Sequence, residues 1–412
     1  MTHVRSQTGR LQALDAWRGI CALAVAFFHF PVAHRLTGDP SFINLQLCVD
    51  FFFVLSGFVI NRAYGRQLVA GSDAKRFVLT RFGRLWPLHA VILSLLVILE
   101  LIRLCASIAS PAIAAMMQEP PFSAGHSAYE LVTSALFLQA FDLHATASWN
   151  FPAWSVAAEF YTYLVFAFVC LTFSKQRAAA FTAIALVSGT ILHKISPDTL
   201  FVSFDWGFLR CLMGFFVGCL VYRFSETFSN PPRALSVLEF AISGVAVGYV
   251  LFSREGAGHY AAPLVFAVLI YVFSFDQGAV SKLLKAAPFQ KLGVWSYSIY
   301  MVHVLVFQVA RSLAIYVSGK MGIGRFEIYH GIKMLIAGSS MSALVVSFVS
   351  AVVLVVPVAA LCYRWIERPC MDWFRVKAGK PVSTHASPRE ENAANLSVPS
   401  TTVTMGSIDA RG

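Results

Sequence analysis

The chain has 412 residues, of which 57% are hydrophobic, 14% aromatic and 13% charged. A soluble globular domain carries about 25% charged residues, so this chain lacks the charge to clothe a water-facing surface. The formal charge of +11 would suit a polyanion, but the placement of the basic residues excludes nucleic acid as the partner and points to lipid.

Apolar runs recur near residues 14–30, 46–64, 85–104, 154–173, 178–194, 206–224, 234–253, 261–276, 294–312 and 341–362. As helix, each can cross a hydrocarbon layer of about 30 Å. No alternation of strand length suggests a barrel. The expected fold class is therefore all-α, a polytopic membrane bundle of about ten helices. With the N-terminus inside, 22 of the 32 Lys and Arg residues fall on the cytoplasmic side and eight outside. Arg18 and Arg210 lie within spans. Such a bias is the positive-inside pattern, and an even number of spans puts both termini in the cytoplasm. Residues 129–141 are apolar but too short to cross, and are expected to be re-entrant or interfacial.

The first span, LDAWRGICALAVAFFHF, holds Arg18 and His29. Eleven residues at 100° each fall about 20° from three full turns, so both lie on one face, about 16 Å apart along the axis. Asp15 is placed to pair with Arg18. Arg18 reads as a snorkelling anchor or a functional cation, and His29 as a helix-end histidine or a functional one. Their common face favours function. No cleavable leader is expected, because no small-residue cleavage site follows this span.

Asp50 opens the second span and is expected close to His29, where a carboxylate would orient the ring; a helix first-turn acid is the alternative. Residues 62–84 gather six basic residues and end in RFGRLWP. Arg81 and Arg84 share a helix face there, suited to anionic lipid or to phosphate. Trp154 reads as an interfacial aromatic or a substrate contact. Glu159 stands among Ala, Val and Phe without a local partner, and Arg210 is a candidate for that role. His303 lies mid-span, either a bonded core histidine or a substrate contact. Glu100 and Glu239 receive no role. The cysteines show no metal spacing, no metal is expected, and a Cys48–Cys105 disulfide is open. From about Val376 the composition turns polar and disorder is expected, so that 1–375 forms the membrane domain and 376–412 a cytoplasmic tail.

Six segments in order, LDAWRGICALAVAFFHF, VDFFFVLSGFVI, RFGRLWPLHAV, WSVAAEFYTYL, WSYSIYMVH and RWIERP, resemble the membrane-bound acyltransferase 3 family. Its members include bacterial O-antigen, exopolysaccharide and Nod-factor acetyltransferases. The similarity runs from Leu11 to Arg368. It implies about ten helices in a bacterial inner membrane, acetyl-CoA or another acyl-CoA as cytoplasmic donor, and a carbohydrate or glycolipid hydroxyl as acceptor. The family's Arg-x10-His motif falls on Arg18 and His29, its acid before the FFxLSGF run on Asp50, its Arg-x-x-Arg on Arg81 and Arg84, and its WSL-type Glu on Glu159. The chain departs from the pattern at Phe160, where many members have a second acid, and at Ala16 and Trp17. No appended hydrolase-like domain is seen, so a second transfer step is not expected.

Residues and resemblance together imply His29, Asp50 and Glu159 as catalytic, and Arg18, Arg81 and Arg84 as the coenzyme A site. Arg210, Trp154 and His303 are the candidate substrate contacts. A proton-coupled transporter is the competing class, since paired buried charges also build permeases. A scramblase of the acceptor lipid is a third.

Overall fold

The computed structural model describes residues 9–30, 32–33, 40–117, 119–123, 125–254, 256–321, 326–329, 332–336 and 340–379. Helices dominate: α1 (Gln12–Phe28), α2 (Cys48–Tyr64), α3 (Gly71–Ala109), α4 (Ala128–Ala135), α5 (Ala153–Thr172), α6 (Arg177–Ile195), α7 (Gly207–Thr227), α8 (Leu235–Phe252), α9 (Ala262–Phe273) and α10 (Ala287–Met321). A last helical run joins α11 (Ser340–Ser350), α12 (Val356–Cys362) and α13 (Arg368–Lys377) through two π-helical stretches, Ala351–Val355 and Tyr363–Glu367.

Among the described residues, eight helices are long and apolar enough to cross a membrane. These are 44–64, 71–109, 153–172, 177–195, 207–227, 235–252, 287–317 and 345–377. The other two expected spans are shorter. α1 has 17 residues, about 26 Å, and the eighth expected span is the apolar helix Gly258–Phe273. The fold is an all-α polytopic membrane protein.

Three details differ from the sequence reading. α3 has 39 residues, about 58 Å long, and takes Lys75, Arg76, Arg81 and Arg84 of the basic stretch, ahead of the apolar run at 85–104, into one continuous helix. The run after Ser340 does not stop at 362 but continues to Lys377. A three-stranded sheet, β1 (Val32–Ala33), β2 (Phe326–Tyr329) and β3 (Ile332–Ile336), also forms, in the order β1-β3-β2. It joins the segment after α1 to the one after α10, with β1 parallel to β3 and β2 antiparallel to it. Within 129–141, the helical part is seven of the eight residues of α4, a helix of about 12 Å, far too short to cross. The expected tail lies outside the described residues from 380 onward.

In lipid, helices associate by close packing rather than by expulsion of water, and small residues let backbones meet. Two crossings show this. A side chain at Gly57 would collide with the Phe215 carbonyl, and one at Gly218 with the Val54 carbonyl, so α2 and α7 touch backbone to backbone. Gly19 and Gly293 do the same for α1 and α10. Between these crossings lies an aromatic core. Phe51, Phe166, Phe215 and Phe216 are fully buried, and edge-to-face pairs such as Phe166–Phe215 (5.7 Å) interlock them. Large apolar side chains on the outside, among them Ile102, Ile108, Leu186, Phe240 and Phe252, make a surface suited to lipid.

Candidate active site

α1, α2, α3, α5 and α10 surround a cavity of about 120 Å³. Its lining carries three guanidiniums, Arg18, Arg81 and Arg84, against one carboxylate, Glu159, with Ser56, Ser155, Ser296, Tyr163, Tyr297 and Tyr300 between them. Helical periodicity delivers these groups. Ser155, Glu159 and Tyr163 are spaced by four on α5, Arg81 and Arg84 by three on α3, and Ser296 and Tyr300 by four on α10, so each helix turns one face inward.

Arg18 donates from Nε to Ser296 Oγ (2.8 Å) and from a terminal nitrogen to the Gly293 carbonyl (2.9 Å). Asp15 pairs with it at 3.2 Å, as the spacing suggested. Arg81 donates to Tyr64 Oη at 3.1 Å and stacks over that ring. Its Nε is buried without a hydrogen-bond partner, a costly arrangement for a donor and one that a ligand oxygen would relieve. Glu159 does not meet Arg210. Its Oε1 accepts from Ser56 Oγ and Tyr163 Oη, each at 2.5 Å.

Asp50 is the second departure. It does not orient His29 but holds Arg210, at 2.9 Å from Nε and 2.6 Å from a terminal nitrogen. Arg210 also donates to the carbonyls of Val202 (3.1 Å) and Gln46 (3.4 Å). Trp154 and Phe201 lie against its guanidinium, at 5.6 and 5.9 Å. Both charges are buried, and every Arg210 nitrogen has a partner. Asp50, Arg210 and Trp154 thus form a closed clamp outside the cavity lining. The expected pairing fails because two acids compete for one arginine, and Asp50 presents both oxygens to its fork.

His29 and Arg18 do lie on one face, as expected, and both meet α10. His29 Nδ1 is 3.1 Å from His303 Nε2, with the rings stacked at 5.0 Å. Phe151 packs on the edge of His29 at 4.9 Å. Neither histidine lines the cavity. Tyr300 stands between: it lines the cavity, its hydroxyl meets Ser155 Oγ at 2.7 Å, and its ring lies 5.9 Å from that of His303.

Sequence reasoning missed Glu367. The second π-helical stretch ends on it, and π turns often mark functional positions. It is buried, accepts from Ser298 Oγ at 2.7 Å, and lies within electrostatic reach of Arg84 and Arg18. The RWIERP segment was the available signal, read as lying beyond the last span. Glu100 and Glu239 are anchors. Glu100 holds Arg103 at 2.6 Å, and Glu239 accepts from the amides of Gly278 and Ser281 at 3.0 and 2.9 Å. All eight cysteines are free, with Cys48 buried and Cys105 exposed.

Comparison with known proteins decides the family. Residues 11–364 match the family model of the acyltransferase 3 type, described as an acyltransferase domain. The chain belongs to the acyltransferase 3 family. It is similar to "Protein 2 in picA locus" of Rhizobium radiobacter, 34% identical over 168 residues, which is 40% of this chain and 84% of that protein. It is also similar to "Acyltransferase MdmB" of Streptomyces mycarofaciens, 23% identical across 94% of this chain and 98% of the relative. No solved structure matches. The protein is accordingly a multi-pass membrane acyltransferase, moving groups other than aminoacyl groups. Within the acyltransferase 3 family, the segments that identify this chain are also those that build the cavity and the histidine pair.

Proposed function

We propose that the protein transfers an acyl group, acetyl in the first instance, from cytoplasmic acyl-CoA to a hydroxyl of a cell-surface or exported carbohydrate or glycolipid. The membrane would be the bacterial inner membrane, crossed ten times with both termini cytoplasmic. The observation that carries this reading is the convergence of Arg18, Arg81 and Arg84 on one cavity whose wall, Tyr300, adjoins the His29–His303 pair.

The residues fit the anionic part of such a donor. Guanidinium forks match phosphate oxygens in shape and charge, and the unpartnered Arg81 Nε is a donor in need of an acceptor. A cavity of about 120 Å³ has room for several waters, and so for a phosphate or a thioester. Coenzyme A would supply an activated thioester at the end of a long arm. Arg81 and Arg84 would hold its phosphates, Arg18 would add a third cation, and Glu159 would fix Ser56 and Tyr163 at the cavity wall. His29 would take the proton of the acceptor hydroxyl as the new ester bond forms and return it to the departing thiolate. Tyr300 would be the partition that the acyl end passes.

Purified protein in lipid nanodiscs, given isotopically labelled acetyl-CoA and a glycan extract, should release coenzyme A and label the glycan. A proton-coupled permease or a scramblase would do neither. His29→Ala in a folded, membrane-inserted protein should abolish transfer; near-full transfer by that variant contradicts the assignment.

A further inference from the structure

A histidine acting as base needs one bare ring nitrogen, and the nearby acids do not provide it for His29. Asp50 is engaged by Arg210, and Glu159 by Ser56 and Tyr163. Beside the Val25 carbonyl, one turn back on α1, the polar group that meets the His29 ring is another imidazole, with His303 Nε2 at 3.1 Å from His29 Nδ1.

Two facing imidazole nitrogens share one hydrogen, and its owner is fixed by what the other nitrogens face. His303 Nδ1 is buried and has no hydrogen-bond partner of good geometry. The carbonyls of Tyr300 and Ile299, one turn back on the same helix, act on the His303 ring, and because Nε2 is turned to His29 the nitrogen on their side is Nδ1. A carbonyl only accepts, so His303 Nδ1 carries hydrogen. A neutral imidazole has one N–H, which leaves His303 Nε2 as a lone pair. His29 Nδ1–H donates to it, and His29 Nε2 is left bare. Aromatic rings hold the pair in register: Phe151 on the edge of His29 at 4.9 Å, and Tyr300 and Phe307 beside His303 at 5.9 and 6.2 Å.

We propose that His303 is a positioning residue that locks His29 in the Nδ1–H tautomer, with Nε2 free to take the proton of the acceptor hydroxyl. This deepens the reading of His29 as the base and rests on it. A neutral ring here does the work that a carboxylate does in a Ser-His-Asp triad.

Ring-nitrogen shifts from 15N-histidine-labelled protein in bilayers test the tautomer without any turnover. His29 should carry its hydrogen on Nδ1 in the parent, keep it there in His303→Gln, whose amide oxygen can still accept, and lose that preference in His303→Phe. In the transfer assay, His303→Phe fills the space without an acceptor and should lower kcat about 100-fold, a loss typical of removing the group that orients a functional histidine. Its KM for the donor should stay within about threefold, and His303→Gln should stay within about tenfold of the parent kcat. A purely packing role predicts the reverse order, with Phe tolerated and Gln harmful. A parent spectrum with His29 protonated on Nε2 overturns the proposal, even if His303→Phe fails to accumulate. So does full kcat in His303→Phe while His29→Ala is dead. If His29→Ala itself retains transfer, the base assignment fails instead.

Discussion

Two groups of charges within the bundle are built differently. At the Asp50–Arg210 clamp, each Arg210 nitrogen already has an acceptor and aromatic rings close over the guanidinium. Around the cavity, three arginines face open space with one carboxylate among them, and the Arg81 Nε has no partner. A charge at membrane depth is costly in either place. The clamp offsets that cost internally and has nothing left to offer, whereas the cavity leaves donors for an anion. Saturation, rather than burial, separates a buried charge that holds the fold from one that holds a ligand.

Breaking the clamp should give the largest change in stability. Asp50→Ala leaves a buried guanidinium unpaired, and its loss is expected at about 3–5 kcal/mol, seen as a lowered thermal midpoint in detergent. Asp50→Leu with Arg210→Met should recover most of that stability and keep transfer activity, because no reacting group is removed. An active-site role for the pair would leave the double variant folded and inactive.

Cavity substitutions should instead cost less stability and more activity. Glu159→Gln removes charge-assisted hydrogen bonds worth about 1.5–3 kcal/mol, so kcat/KM should fall roughly 10- to 100-fold. Its thermal midpoint should stay far above that of Asp50→Ala. Arg84→Lys keeps the charge but loses the planar fork, and should raise the donor KM about tenfold with kcat nearly unchanged. Tyr163→Phe removes one neutral hydroxyl beside Glu159 and should cost only a few-fold in kcat/KM, since such a bond contributes about 1 kcal/mol.

The spacing of charges within one helix was readable in the sequence. The 11-residue interval put Arg18 and His29 on one face, and both do meet α10. Ser155, Glu159 and Tyr163 follow the same rule at intervals of four, so their cluster was there to be read. Pairing between helices was not readable. Asp50 and Arg210 are 160 residues apart, and hydropathy says nothing about which of two acids an arginine will choose. Glu367 was hidden for a different reason. Hydropathy ends the last span near 362, while the helix runs on through a π turn to Lys377 and carries that acid back into the bundle.

The open cavity should receive the phosphates of the donor, and the closed clamp should not. Calorimetric titration of coenzyme A into the detergent-solubilised parent, the Arg81→Ala/Arg84→Ala variant and the Asp50→Leu/Arg210→Met variant tests it directly. Binding to the parent and to the clamp variant should agree within about threefold, with a loss of at least about 100-fold when both cavity arginines are gone, the scale of two lost charged hydrogen bonds. Unchanged affinity in the Arg81→Ala/Arg84→Ala variant would contradict it.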